Sequence, residues 1–183
     1  MSEPKVLVAV SASRGFIGWA IRKLTGSKVN HTFLLYRSAQ WGGWWAAQIA
    51  AKGVVLLPAF KVTEECDFLE VYESQSTDLE LVLAKMRDTI GEKYDYAGIV
   101  GFFLRIVAWK VAHKKIRNAL HSKGELFCSE FVAKFLRAAG TPQARKMEPS
   151  ITSPGDVREY LQTIESGFIP REWPLQIKDV SAK

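Results

Sequence analysis

The chain has 183 residues, 48% apolar and 24% charged, which excludes a disordered or collagen-like polypeptide and fits one folded domain over residues 1–183. At this length roughly 70% of the unfolded chain's surface can be buried, so the core needs no disulfide or metal. The formal charge of +6 favours anionic surroundings without specifying a nucleic acid, and two cysteines, Cys66 and Cys128, with no CxxC pair and no cysteine and histidine cluster, argue against a zinc module or disulfide framework.

Lys5 to Val10 is a short β-branched run and predicts a strand. Ser11, Ser13 and Gly15 then mark a turn into a short helix over Phe16 to Leu24 that stops at Gly26. His31 to Tyr36 is rich in strand formers, Trp44 to Ile49 and Val54 to Leu57 flank a turn at Lys52 and Gly53, and Phe68 to Tyr72 alternates as a half-buried strand. From Thr77 the spacing becomes helical through Leu79, Leu81, Val82, Leu83 and Met86, with Ser76 or Thr77 as cap and Gly91 as stop. Further helices are expected from Tyr96 to about Leu120, from about Cys128 to Ala139 with Gly140 as stop, and from Ser153-Pro154 to about Ile164; Glu172 to Lys183 reads as a loose tail. Strands first and helices after them predict an α+β fold.

The stretch Arg105 to Lys123 carries six lysines and arginines and no acid, interleaved with apolar residues such as Trp109 and Ile116. It suits a buried or interfacial basic helix. Ala97 to Ala112 contains Arg105 and Lys110, whereas a spanning helix needs about 20 apolar residues with few charges, so no transmembrane segment is expected. At the start, Val6 to Val10 is too short an apolar run for a signal peptide, and Sec export is not expected.

Cys128 stands where a strand-like or loop segment enters an amphipathic helix whose Phe131, Val132 and Phe135 point to the core. Unpaired N–H groups and the positive dipole end of a helix start stabilise a thiolate and can bind an oxyanion. A buried cysteine filling space is the alternative. Cys66, among Glu64, Glu65 and Asp67, has neighbours that disfavour a thiolate. Of the three histidines, His113 and His121 belong to the basic helix, while His31 opens a strand at a point where an imidazole can face a cleft or serve structure alone.

Five segments spanning much of Val6 to Leu161 stand in a particular order: SKVNHTFLLY, AAQIAAKGVVLLP, GEKYDYAGI, LFCSEFVAKFLRAAG and SPGDVREYL. This order resembles the NlpC/P60 superfamily of papain-like cysteine hydrolases in its circularly permuted branch, which includes YiiX-like and lecithin:retinol acyltransferase-like proteins. The resemblance implies an antiparallel sheet packed on helices, with the nucleophile at a helix start. It implies Cys128 as nucleophile, His31 as general base and Gln48 as orienter, a position where the family more often has histidine or a carboxylate. Glutamine retains a carbonyl that can accept the imidazole proton. Tyr94 and Ser129 would contact substrate, Glu130 would complement the helix dipole, and Trp41, Trp44 and Trp45 would form an aromatic wall or fill core and loop positions.

The function expected from this resemblance is a cysteine peptidase or amidase cutting a peptide or isopeptide amide, with cell-wall peptide (peptidoglycan) as one substrate and no cofactor. One alternative is a lipid-directed thiol acyltransferase or deacylase using residues 96–123 on an anionic membrane. Another is an inactive structural component that binds the proteins of a phage particle. No specific nucleic acid is implied, and a cytoplasmic or virion-associated location is expected.

Overall fold

Val6 to Val10 is apolar at every position, which suits a strand covered on both faces. The computed structural model, which describes residues 6–38, 41–50, 53–74, 79–86, 93–94 and 125–173, places this run in β1 (Val6–Ser13), buried from Val6 to Ala12. On one side β1 pairs with β2 (His31–Arg37), and on the other with β5 (Cys66–Ser74). Beyond β2 lie β3 (Trp44–Ala50) and β4 (Gly53–Pro58), joined as a hairpin in which Ala50 faces Gly53. Among the described residues the sheet has six strands in the order β4-β3-β2-β1-β5-β8, with β8 being Phe168–Arg171 and every neighbouring pair antiparallel. A separate parallel pair joins β6 (Lys93–Tyr94) to β7 (Glu125–Leu126).

Strand alternation divides the core in two. Val6, Val8, Val10, Leu34, Ala47 and Ile49 face a helical layer of α3 (Leu79–Lys85), α4 (Cys128–Ala138) and α5 (Pro154–Gln162), meeting Val82, Phe131, Val132, Phe135, Leu136, Val157 and Leu161. Leu7, Ala9, Phe33, Leu35, Ala46 and Val71 face the other way, covered by Ala59 and Val62 of the short α2 (Ala59–Thr63) together with Trp44 and Trp173. The structure is therefore an α+β fold, a multi-stranded antiparallel sheet packed against several helices. Among the described residues no helix is long and apolar enough to cross a membrane.

Local chemistry sets the helix ends. Helix α1 (Phe16–Thr25) closes at Gly26, whose φ of 70° lets its N–H reach the Arg22 carbonyl at 2.9 Å. Helix α5 opens with a reciprocal cap: Ser153 Oγ accepts the Asp156 N–H at 3.1 Å and Asp156 Oδ2 accepts the Ser153 N–H at 2.7 Å.

Two elements differ from the sequence expectation. Helix α2 is a five-residue turn, too short to show a period. Strand β8 contains Pro170, which argues against a central strand but is tolerated on the edge that β8 occupies. Of the stretch read as a loose tail, Trp173 is partly buried and meets Trp44 edge-on at 5.9 Å, because the second core face supplies an apolar seat for it. The helix predicted from Ser153-Pro154 to about Ile164 ends at Gln162 and is followed by a separate 3₁₀ turn at Ile164–Ser166. The predicted helix over Tyr96 to Leu120, with its basic face, and the cap and stop at Ser76, Thr77 and Gly91 lie outside the described residues, as do residues 174–183.

Candidate active site

His31 opens β2 opposite Ser11 of β1. On the other side β2 pairs with β3 through Leu35 and Ala46, and two-residue alternation from there puts His31, Phe33 and Gln48 on one face. Gln48 Oε1 lies 2.8 Å from His31 Nε2. An amide oxygen only accepts, so the ring proton sits on Nε2 and the neutral ring keeps its lone pair on Nδ1. The half-buried imidazole also stacks on Phe33 at 5.6 Å between centroids. Its plane is thus held from two directions.

Cys128 reaches the same place from the other half of the chain. Strand β7 ends at Leu126, and extended Phe127 (φ −116°, ψ 163°) precedes the first turn of α4 without a side-chain cap. Cys128 is the first helical residue, 7% exposed, with its sulfur 4.0 Å from the carbonyl oxygen of Asn30, the residue before His31. Burial disfavours its thiolate. The charge of His31 and a hydrogen bond to it, joined by the N–H groups of Thr32 and Ser129, outweigh that penalty and hold the thiol below its ordinary pKa. Burial likewise opposes the imidazolium, but the Cys128 charge and hydrogen bond, the Gln48 contact and the charge of Glu65 raise His31 above its ordinary value. With Nε2 engaged by Gln48, Nδ1 is the nitrogen left for the hydrogen bond to Cys128.

A brace beside this pair escaped the sequence analysis. Asn30 Oδ1 accepts the Ser13 N–H at 2.8 Å while its Nδ2 donates to the Ser13 carbonyl at 3.1 Å, so its side chain acts as an extra rung between β1 and β2. Helix α1 presses on that rung at Gly18, where an added Cβ would stand 1.9 Å from Asn30 Nδ2. The only advance signal was asparagine before histidine in SKVNH. Thr32, on the helix-facing side of β2, is fully buried with its hydroxyl unpartnered among the described residues, a destabilising feature next to the sulfur.

Other expected residues fall differently. Ser129 is 1% exposed and its hydroxyl donates to the Thr152 carbonyl at 2.6 Å, fastening α4 to the turn before α5; it offers the cleft an N–H, not a side chain. The Tyr94 backbone pairs with Leu126, two residues before Cys128, and its side chain is outside the described residues. Glu130 is buried in the first turn of α4 with Lys134 Nζ at 3.4 Å. The tryptophans divide: Trp41 and Trp45 meet at a tilt of 54° with centroids 4.8 Å apart, while Trp44 joins the second core face. Cys66 donates to the Val62 carbonyl at 3.3 Å, and burial, with Glu65 and Asp67, pushes its thiol above the ordinary value. His113 and His121 lie outside the described residues. Among the described residues no three His, Cys, Asp or Glu side chains gather as a metal site.

A histidine whose Nε2 is engaged by an amide oxygen, bonded to a cysteine at a helix start, is a set of groups of the kind that can attack a carbonyl. No family model matches the chain, and no curated protein matches it significantly.

Proposed function

We propose that this protein is a cysteine hydrolase of the permuted papain-like type that cuts an amide bond in a peptide or isopeptide. The observation that carries the proposal is the buried Cys128 and His31 pair, with His31 fixed by Gln48 at 2.8 Å. The order of histidine strand, third polar residue and nucleophile helix along the chain agrees with that fold type.

In the proposed reaction His31 Nδ1 takes the Cys128 proton, and the thiolate attacks the scissile carbonyl carbon. Negative charge develops on the carbonyl oxygen, where first-turn N–H groups of α4, lacking partners within the helix, stabilise it. Collapse breaks the C–N bond; the amine leaves with the proton from His31, and a thioester remains on Cys128. Water then gives a proton to His31 and attacks the thioester, releasing the acid and restoring the thiolate and imidazolium. Gln48 keeps the ring in the required tautomer throughout.

The test is trapping of the acyl-enzyme. A peptide library of activated amides, incubated with the full chain and quenched in acid, should leave an acyl mass on the peptide containing Cys128. Loss of that adduct in Cys128→Ala together with loss of amine release supports the proposal; amine release that persists in Cys128→Ala overturns it.

A further inference from the structure

A second feature lies at the same end of the sheet. Trp19, Arg22, Lys23, Ser27, Lys28 and Phe68 line an open groove of about 470 Å³ between α1, the segment leading into β2, and β5. Its two aromatic rings are exposed, Trp19 at 53% and Phe68 at 37%, and the Arg158 guanidinium lies over the Phe68 ring at 6.0 Å from its centroid. None of the lining residues is acidic. Of the neighbouring acids, Glu70 takes two bonds from Arg158, at 2.8 and 2.7 Å, and also feels the charge of Lys28, while Asp67 takes one bond from Arg14 at 2.7 Å. Among the described residues Lys23 and Lys28 form no ion pair, and Arg22 spends one of its donors on the Ser13 carbonyl at 3.0 Å. The groove is left with an excess of positive charge beside apolar walls.

Its placement relates it to Cys128. Phe68 pairs with Ala12, and alternation from that pair puts Phe68 with Val8 and Val10 on the face that carries α4. Lys28 is two residues before Asn30, whose carbonyl lies 4.0 Å from the sulfur. Two residues of chain span at most ~7 Å. Lys28 is therefore within reach of a substrate that extends a few residues from the sulfur.

We infer that this groove is a specificity subsite of the same cleft and takes an acidic side chain of a peptide substrate, with the carboxylate at Arg22, Lys23 and Lys28 and its methylenes between Trp19 and Phe68. The inference rests on the proposed amide hydrolysis and names the substrate class. The lining, two aromatic rings beside two lysines and an arginine with no acid among them, matches the methylenes and the carboxylate of one such side chain.

The experiment uses three peptide amides that differ at one position, Glu, Gln or Lys, scanned along each side of the scissile bond. Their turnover is measured with the full chain, and their binding by calorimetry with Cys128→Ala. Lys23 and Lys28 are exposed, so Lys23→Glu/Lys28→Glu should fold normally; Arg22, which braces Ser13, is left intact. At low salt the Glu peptide should bind about tenfold more tightly than the Gln peptide at one position, and the preference should fade as salt screens it. The double variant should invert the order in favour of the Lys peptide. Equal binding of the three peptides, or an unchanged order in the double variant, overturns the subsite. So does Lys23- and Lys28-dependent binding to phosphatidylglycerol vesicles without a peptide charge preference, which assigns the groove to a membrane. Charge-selective binding without turnover supports the subsite and overturns the hydrolase, whereas turnover without charge preference does the reverse.

Discussion

Cys128 and Cys66 stand at the same end of the central strand, the first buried and the second partly so, and their chemistry is opposite. Cys66 lies across the ladder from Ser13, while Cys128 reaches the sheet beside Asn30, which bonds to that same Ser13. Burial pushes both thiols upward and is the largest single influence on each. At Cys66 the acids Glu65 and Asp67 add to it; at Cys128 the imidazole of His31 and two backbone N–H groups overcome it. Withdrawal from solvent therefore makes a cysteine inert unless a cation and directed donors are built in around it.

The largest expected effect is on alkylation. Iodoacetamide at pH 7 should modify Cys128 at least about a hundredfold faster than Cys66, read by mass mapping of the two peptides. Comparable rates would show that His31 does not control the thiol. His31→Ala should then reverse the order, because burial at Cys128 is left unopposed while Cys66 keeps partial exposure. A His31→Ala protein in which Cys128 still reacts first breaks the comparison.

The pH dependence follows from the same pair. Cys128 is depressed, so its contribution to stability is present above the unfolded thiol's pKa and is lost as pH falls through the folded value. His31 is raised, so its contribution is present below the unfolded pKa and lost as pH rises through the folded one. Turnover should be bell-shaped over a pH window whose acid and alkaline limits belong to the pair. Cys128→Ser should narrow the stability difference from wild type toward both edges of the window, measured by urea unfolding across pH.

Much of this was legible beforehand for specific physical reasons. The helix start at Cys128, the strand at His31 and the stops at Gly26 and Gly140 are set by local chemistry, such as the φ of 65° that Gly140 adopts. The juxtaposition was not local: 97 positions separate His31 from Cys128, and only a pattern of segments in order suggested that they meet. The Asn30 rung and the Gly18 approach were hidden because a two-way side-chain bond to one backbone residue leaves no period in the sequence. Ser129 misled because proximity to the nucleophile says nothing about which way a hydroxyl turns; here it turns to Thr152.

A smaller effect is expected at Gln48. Gln48→Ala removes the acceptor at Nε2 and frees the ring to adopt the other tautomer, so kcat should fall roughly 10- to 1,000-fold, short of the loss in Cys128→Ala. Gln48→Glu keeps an acceptor and adds charge, which should hold or raise kcat and move the alkaline limb of the pH profile upward. An unmoved limb would mean that Gln48 only packs beside the ring.

The smallest effect tests the inert cysteine. Asp67→Asn removes one negative neighbour of Cys66 and also releases Arg14, whose Nε lies 2.7 Å from the Asp67 carboxylate and whose charge favours the Cys66 thiolate. Both changes act in one direction, so alkylation of Cys66 at pH 8 should rise. The rise should be small, about two- to threefold at low salt, because the Asp67 side chain is 53% exposed and its field is screened by water. It should vanish near 1 M salt, where the screening length is about 3 Å. Glu65→Gln is the less clean probe, since Glu65 also supports the His31 cation and its loss would disturb Cys128. A gain of tenfold or more in Asp67→Asn would mean that charge, not burial, keeps Cys66 unreactive. The two cysteines would then differ only in the sign of their neighbours.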